Sequence, residues 1–115
     1  MSMSEEVRAL QKNSRISPQK ARLMADAIRG LNVDRALAVL ALSPAKSARL
    51  YEKVLKSAIA NAEQNHGLDV DALYVSTAKA DTGMTLKRYR PKGMGRMRQR
   101  FHRHSHLTVA VSERG

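Results

Sequence analysis

The chain has 115 residues, 43% of them hydrophobic, with 21 Lys and Arg against 10 Asp and Glu, for a net charge of +11. That supports one compact domain with a modest core, and the charge calls for a polyanionic partner: nucleic acid, an anionic membrane surface or an acidic protein. Cysteine is absent, which excludes disulfides, thiolate metal sites and cysteine nucleophiles.

The longest apolar run, 36–42, is far short of the roughly 20 residues that cross a bilayer. The start, MSMSEEV, lacks the basic and apolar parts of a signal peptide, so a soluble protein that stays where it is made is expected. Tyr51, Tyr74, Tyr89 and Phe101 are the only aromatic residues, so an aliphatic core is expected. Between Glu6 and Ile16 the apolar points Val7, Ala9, Leu10 and Ile16 predict a short edge strand. Arg8, Lys12 and Arg15 suit an edge that must not pair with another chain. Ser17-Pro18 predicts the cap and first residue of a helix, with Ala21, Met24, Ile28 and Leu31 as its buried stripe and Gly30 as its stop. Asn32 predicts the cap of a second, short helix from Val33 to Leu42, facing the core with Val33, Ala36, Leu37 and Leu40. Ser43-Pro44 repeats the signal and predicts the start of a third helix, the longest, running to His66 and stopped by Gly67. Its apolar stripe is Ala48, Tyr51, Leu55, Ala58, Ile59 and Ala62. A second stripe, Lys46, Arg49, Lys53 and Lys56, is basic and reads either as a solvated helix side or as a phosphate-facing patch.

Leu68 to Asp71 is a connection, and from Ala72 the pattern turns to period two, with Leu73, Val75 and Thr77 on one face. At the far end Leu107, Val109 and Val111 alternate with Thr108, Ala110 and Ser112. A turn centred on Met94 would set Val75 opposite Glu113, Thr77 opposite Val111, and Asp81 opposite Leu107. The prediction is an α+β fold: three helices packed on a small three-stranded antiparallel sheet, with a long protruding β-hairpin arm. It forms a single domain, 1–115, whose globular part is 1–81 and 106–115 and whose arm is 82–105.

The arm holds Lys87, Arg88, Arg90, Lys92, Arg96, Arg98, Arg100 and Arg103 and no acidic residue. Its sides could reach about 40 Å at roughly 3.3 Å per residue. A lone two-stranded hairpin is marginal in water, and like charges facing one another make it worse. Contact with a polyanion removes that repulsion and releases counterions. The arginines match phosphate with a planar fork, and Tyr89 and Phe101 can stack on unpaired bases or on each other. Gly93-Met94-Gly95 makes a narrow turn. His102, His104 and His106 alternate along one face. With no cysteine and no carboxylate nearby they read as phosphate or sugar contacts rather than as metal ligands. Ser105-His106 has no acidic orienting partner, which argues against catalysis. A structural RNA-binding protein is the leading reading, a regulator with a β-ribbon in a DNA groove the second, and a metal-dependent enzyme centred on the histidines a distant third.

Several separated motifs, in order and over nearly the whole chain, resemble the bacterial form of the large-subunit ribosomal protein twenty-two family. They are Ser17-Pro18-Gln19-Lys20-Ala21-Arg22-Leu23 with Ile28-Arg29-Gly30, the run from Val54 to Glu63 (VLKSAIANAE), and Leu86-Lys87-Arg88, Pro91, Gly95-Arg96, Arg103 and Ser105 to Val109. The resemblance implies a ribosome-bound, cytoplasmic, non-enzymatic protein without cofactor or metal. It would bind large-subunit rRNA, aid assembly, touch neighbouring large-subunit proteins, and line the nascent-peptide exit tunnel with its hairpin tip, where changes can give macrolide resistance. The tip is Lys92, Gly93, Met94, Gly95 and Arg96, facing the nascent polypeptide. The residues read as rRNA-binding are Arg15, Lys20, Arg22, Lys46, Arg49 and Lys53 in the globular part, and Lys87, Arg88, Arg90, Arg98, Arg100, His102, Arg103, His104 and His106 in the arm. No membrane contact or homo-oligomer is expected. Where the family usually has a glutamate, a glycine and a proline before the arm, this chain has Thr82, Gly83 and Met84, and Arg98 replaces a common acidic residue.

Overall fold

The computed structural model describes the backbone of residues 6–92 and 96–113, and the side chains of 6–83 and 104–113. Strand β1 spans Val7–Ser14. Helices α1, α2 and α3 span Pro18–Ile28, Val33–Leu42 and Lys46–His66. A short 3-10 turn, Val70–Ala72, leads into β2, Leu73–Lys92, and then β3, Arg96–Glu113. The sheet is antiparallel in the order β1-β3-β2, so the last strand of the chain is its centre. The α+β architecture is the one predicted.

The helices form where apolar spacing puts them and stop for local reasons. α1 begins with Pro18 as its first residue after an extended Ser17, and Pro18, Ala21, Ala25 and Ile28 are its buried stripe. Gly30 follows at φ +86°, a conformation that favours glycine. α3 ends against Gly67 at φ +62°, whose N–H closes on Ala62 O.

One predicted start is displaced. Ser43-Pro44 does not open α3, which begins at Lys46 after Ala45. The proline acts backwards: the residue before a proline is pushed out of the helical region, and Ser43, at ψ 133°, ends α2. The Ser43 hydroxyl then accepts the Ala45 N–H at 3.3 Å.

The core lies between the helices and one sheet face. Val7, Val75, Ala78, Ala80, Leu107, Val109 and Val111 meet Ala21, Ile28, Leu40, Tyr51, Leu55 and Ala58 there. Aliphatic residues dominate, and Tyr51 is the aromatic exception, fully buried. Its hydroxyl donates to Lys79 O at 3.1 Å, so the buried polar atom is satisfied.

The predicted register holds in the outer hairpin and fails at its base. Lys92↔Arg96 and Thr85↔Arg103 agree with a turn centred on residue 94. Irregularities between Thr82 and Thr85, and between Val75 and Thr77, each place an extra residue on β2. Asp81 therefore faces His106 rather than Leu107, Thr77 faces Ala110 rather than Val111, and Val75 faces Val111 rather than Glu113. The second bulge flips the strand's parity: Leu73 and Val75 are buried before it, Ala78 and Ala80 after it, and Thr77 is only half-buried.

Candidate nucleic-acid interface

The hairpin continues well past the core. Pairing extends from Thr82↔Ser105 through Leu86↔His102 and Arg88↔Arg100 to Lys92↔Arg96. It stretches the molecule to 67 Å against 26 × 22 Å across. The predictions made for the side chains of Lys87, Arg88, Arg90, Lys92, Arg96, Arg98, Arg100, His102 and Arg103, and for the tip residues Gly93, Met94 and Gly95, lie outside the described residues.

The root of the arm is built from all three strands. β1 has its own irregularity between Gln11 and Ser14, where Asn13 sits at φ +54°; asparagine tolerates that left-handed conformation better than most residues. The Asn13 N–H donates to His106 Nδ1 at 3.1 Å. Across β3, the Gly83 bulge faces His104, which is buried at 7% exposure, while the Ser105 hydroxyl donates to Ile16 O at 2.7 Å. Of the predicted phosphate-contacting histidines, His104 thus belongs to the interior, and half-buried His106 takes part in the root. Among the described residues no three His, Cys, Asp or Glu side chains are grouped to hold a metal.

The six predicted cations of the globular part are all exposed, but several are engaged with main chain. Lys46 Nζ donates to Arg15 O at 2.9 Å, which brings these two together beside the root. Arg22 Nε donates to Ala80 O at 3.2 Å, so Arg22 lies against β2, while Lys20, two residues earlier on α1, leaves the helix on a different side. Arg49 is the most committed: its Nη2 donates to Leu40 O, to Ala41 O at 3.2 Å and to Ser43 O at 2.7 Å. It caps the C-terminal carbonyls of α2, which no longer have intrahelical donors. The basic stripe of α3 is therefore not uniform. Glu52 lies 3.6 Å from Arg49 and 3.5 Å from Lys56, and Lys53, one turn beyond Arg49, lines a groove with Arg8. Sequence reasoning missed these carbonyl-capping roles, and also Arg29, which donates to Ala78 O at 2.6 Å. Local sequence carries no signal for them, because the acceptors lie on other elements.

Comparison with known proteins decides what kind of protein this is. A family model described as Ribosomal protein L22p/L17e matches residues 9–112. The chain belongs to this ribosomal protein family. A relative named "Large ribosomal subunit protein uL22", from Carboxydothermus hydrogenoformans, is 51% identical over 109 residues, covering 95% of this chain and 96% of the relative. The match spans the residues of the hairpin as well as those of the helices. The family is structural and non-enzymatic. Among the described residues, no helix is long and apolar enough to cross a membrane.

Proposed function

We propose that the chain binds large-subunit rRNA through the root and flanks of its arm, and lines the nascent-peptide exit tunnel with the arm's tip. The coarser statement is not in question: it is a structural constituent of the large ribosomal subunit, as its family and its relative indicate. The observation that carries the finer reading is the paired stretch beyond the core, whose two sides bring eight basic and no acidic residues together. Strands with like charges across from each other repel, and an RNA environment supplies the missing counter-charge.

In this reading Arg15, Lys20, Arg22 and Lys46 anchor the globular part, 1–81 and 106–115, on rRNA, while Lys53, a lining residue of the groove beside β1, is left out of that anchor. Lys87, Arg88, Arg90, Arg98, Arg100, His102, Arg103 and His106 hold the arm, 82–105. Arg49 and His104 act chiefly from within, as a helix cap and a root residue. Lys92, Gly93, Met94, Gly95 and Arg96 face the tunnel and the nascent polypeptide. Binding of the purified protein to large-subunit rRNA should weaken steeply with salt, by a log–log slope of about −0.7 to −0.9 per phosphate neutralised. Deletion of Leu86 to Arg88 should reduce that slope while leaving the helical part folded. A flat salt response would sink the rRNA assignment. A crosslinker at Met94 that reaches no nascent chain in translating ribosomes would sink the tunnel assignment.

A further inference from the structure

The two edges of the sheet are treated differently. Along β2, the Gly30 N–H donates to Val75 O and the Val75 N–H to Leu31 O, both at 2.8 Å. Further on, Arg29 and Arg22 reach the carbonyls of Ala78 and Ala80. That edge is stoppered by α1 and the residues that follow it. Along β1, no main-chain group of the described residues outside the sheet bonds the strand between Arg8 and Gln11. An open edge presents unpaired N–H and C=O groups, and these accept an added strand.

The open edge does not face bare solvent. A groove of 510 Å³ runs between β1 and the flank of α3. On the helix side it is lined by Ser57, Asn61, Gln64 and Asn65, spaced so that they share one flank. Serine and asparagine are poorer helix formers than the lysine or glutamate usual on a solvated flank, and each of these four side chains can both donate and accept. On the strand side, Gln11 Oε1 is buried with no hydrogen-bond donor.

Charge separates the candidate occupants. Lys53 and Arg8 are the lining cations, Arg8 lies 3.7 Å from Glu6, and no acidic side chain lines the groove. A nucleic-acid strand calls for recurring cations along its phosphates, whereas this groove offers amides and a strand edge. An open strand edge beside a helix suits an extended peptide, whose main chain pairs with the strand while its side chains meet the helix.

We propose that the groove between β1 and α3 receives an extended polypeptide segment of another large-subunit protein, neutral or acidic in sequence, added to β1 as a fourth strand. The proposal rests on the chain being a constituent of the large subunit, not on the arm's contacts with rRNA or the tunnel. The segment's main chain pairs with β1 between Arg8 and Gln11, the α3 flank around Asn61 meets its other side, and Lys53 meets an acidic or polar group.

Large subunits assembled in cells with a photo-crosslinking amino acid at position 53 or 61 provide the test. Both positions should crosslink to one protein segment. The two sites on α3 are about 12 Å apart along the helix axis, so the crosslinked residues should be offset by about three to four residues of extended chain. Crosslinks to rRNA from both positions, or to nothing, overturn the proposal. With the crosslinker at position 53, Asn61→Glu, which fills the groove and repels an acidic segment without adding a cation, should lower the yield at least tenfold. Incorporation into subunits and salt-dependent rRNA binding should stay unchanged. An unchanged yield also overturns the proposal. A flat salt response of rRNA binding in the parent protein with crosslinking retained would count against the rRNA reading instead, so the two failures are distinguishable.

Discussion

A Cβ placed on Gly83 would stand 3.1 Å from the carbonyl oxygen of His104, the residue its bulge faces on β3. It would also stand 3.1 Å from Asn13 Oδ1. The asparagine side chain can swing away. The His104 carbonyl cannot, because it belongs to the central strand and is flanked by the pairs Thr82↔Ser105 and Thr85↔Arg103. Gly83 is thus needed for close approach, not for a left-handed backbone, and it helps set where the arm leaves the core. Gly83→Ala is expected to cost about 1–3 kcal/mol through overpacking, seen as a Tm lowered by several degrees. An unchanged Tm would mean that the bulge rearranges freely and does not fix the arm.

Arg49 gives a second, separable prediction. Its guanidinium serves three carbonyls at the end of α2 and in the link to α3. Arg49→Ala leaves those acceptors to water and should cost about 1–2 kcal/mol, the lower part of the range for charge-assisted bonds because the side chain is half-exposed. Arg49→Lys should recover only part of this, since an ammonium cannot reproduce the planar fork. Urea denaturation measures both, and faster amide exchange in the last turn of α2 would localise the loss. Lys53→Ala should do the opposite, leaving stability within about 0.5 kcal/mol of the parent, as surface substitutions usually do.

These two sites show what could be read in the chain and what could not. The helices were legible because Ala, Leu, Val and Ile recur at helical spacing and Pro18, Gly30 and Gly67 punctuate them. Ser43-Pro44 misled because the same dipeptide can open a helix, as Ser17-Pro18 does, or close the preceding one, and only the length of the link decides. The hairpin was legible as two period-two runs about a Gly-Met-Gly turn. Its register at the base was not, because a bulge needs only one extra residue. The trace it leaves is faint: apolar residues at odd positions 73 and 75, then small apolar residues at even positions 78 and 80. The basic residues were legible as a class but not one by one. Arg22, Arg29 and Arg49 find their carbonyls 6 to 58 residues away, outside their own helices, and nothing in the sequence distinguishes a cation that caps a helix from one that meets a phosphate.

The Glu6 carboxylate gives an acid-side prediction. Its Oε1 accepts from the Thr77 hydroxyl at 2.7 Å and from the Ser76 hydroxyl at 3.0 Å, across the second bulge of β2. These bonds, the Thr77 bond foremost and helped by Arg8, hold its pKa below the ordinary carboxylate value. The unfolded chain then binds a proton at higher pH than the folded one. Glu6 therefore stabilises the fold above the usual glutamate pKa, and the contribution fades as pH falls through its lowered value. Glu6→Gln should lose stability at pH 7 and flatten the acid limb of a stability–pH curve between about pH 5 and 3. Superimposable acid limbs in the two proteins would show that these bonds do not persist in solution.

Tyr51 gives the alkaline counterpart, with a larger expected slope. Burial, more than any neighbouring charge, raises its phenol pKa, because ionisation would put a phenolate into the core. In the unfolded chain the phenol loses its proton near pH 10, whereas in the folded chain it keeps it. The folded state therefore binds more protons above that pH, and stability must fall as pH rises. The contribution is intact below about pH 10 and should decline by up to about 1.4 kcal/mol per pH unit above it. Tyr51→Phe removes the titrating group along with the bond to Lys79 O. At pH 7 that should cost about 0.5–1.5 kcal/mol, the usual net worth of one hydrogen bond. Above pH 10 the variant's curve should be flatter, so that the two proteins converge and then cross. Urea midpoints taken from pH 8 to 11.5 decide it, and parallel curves would mean that Tyr51 is not the group that gives the core its alkaline sensitivity.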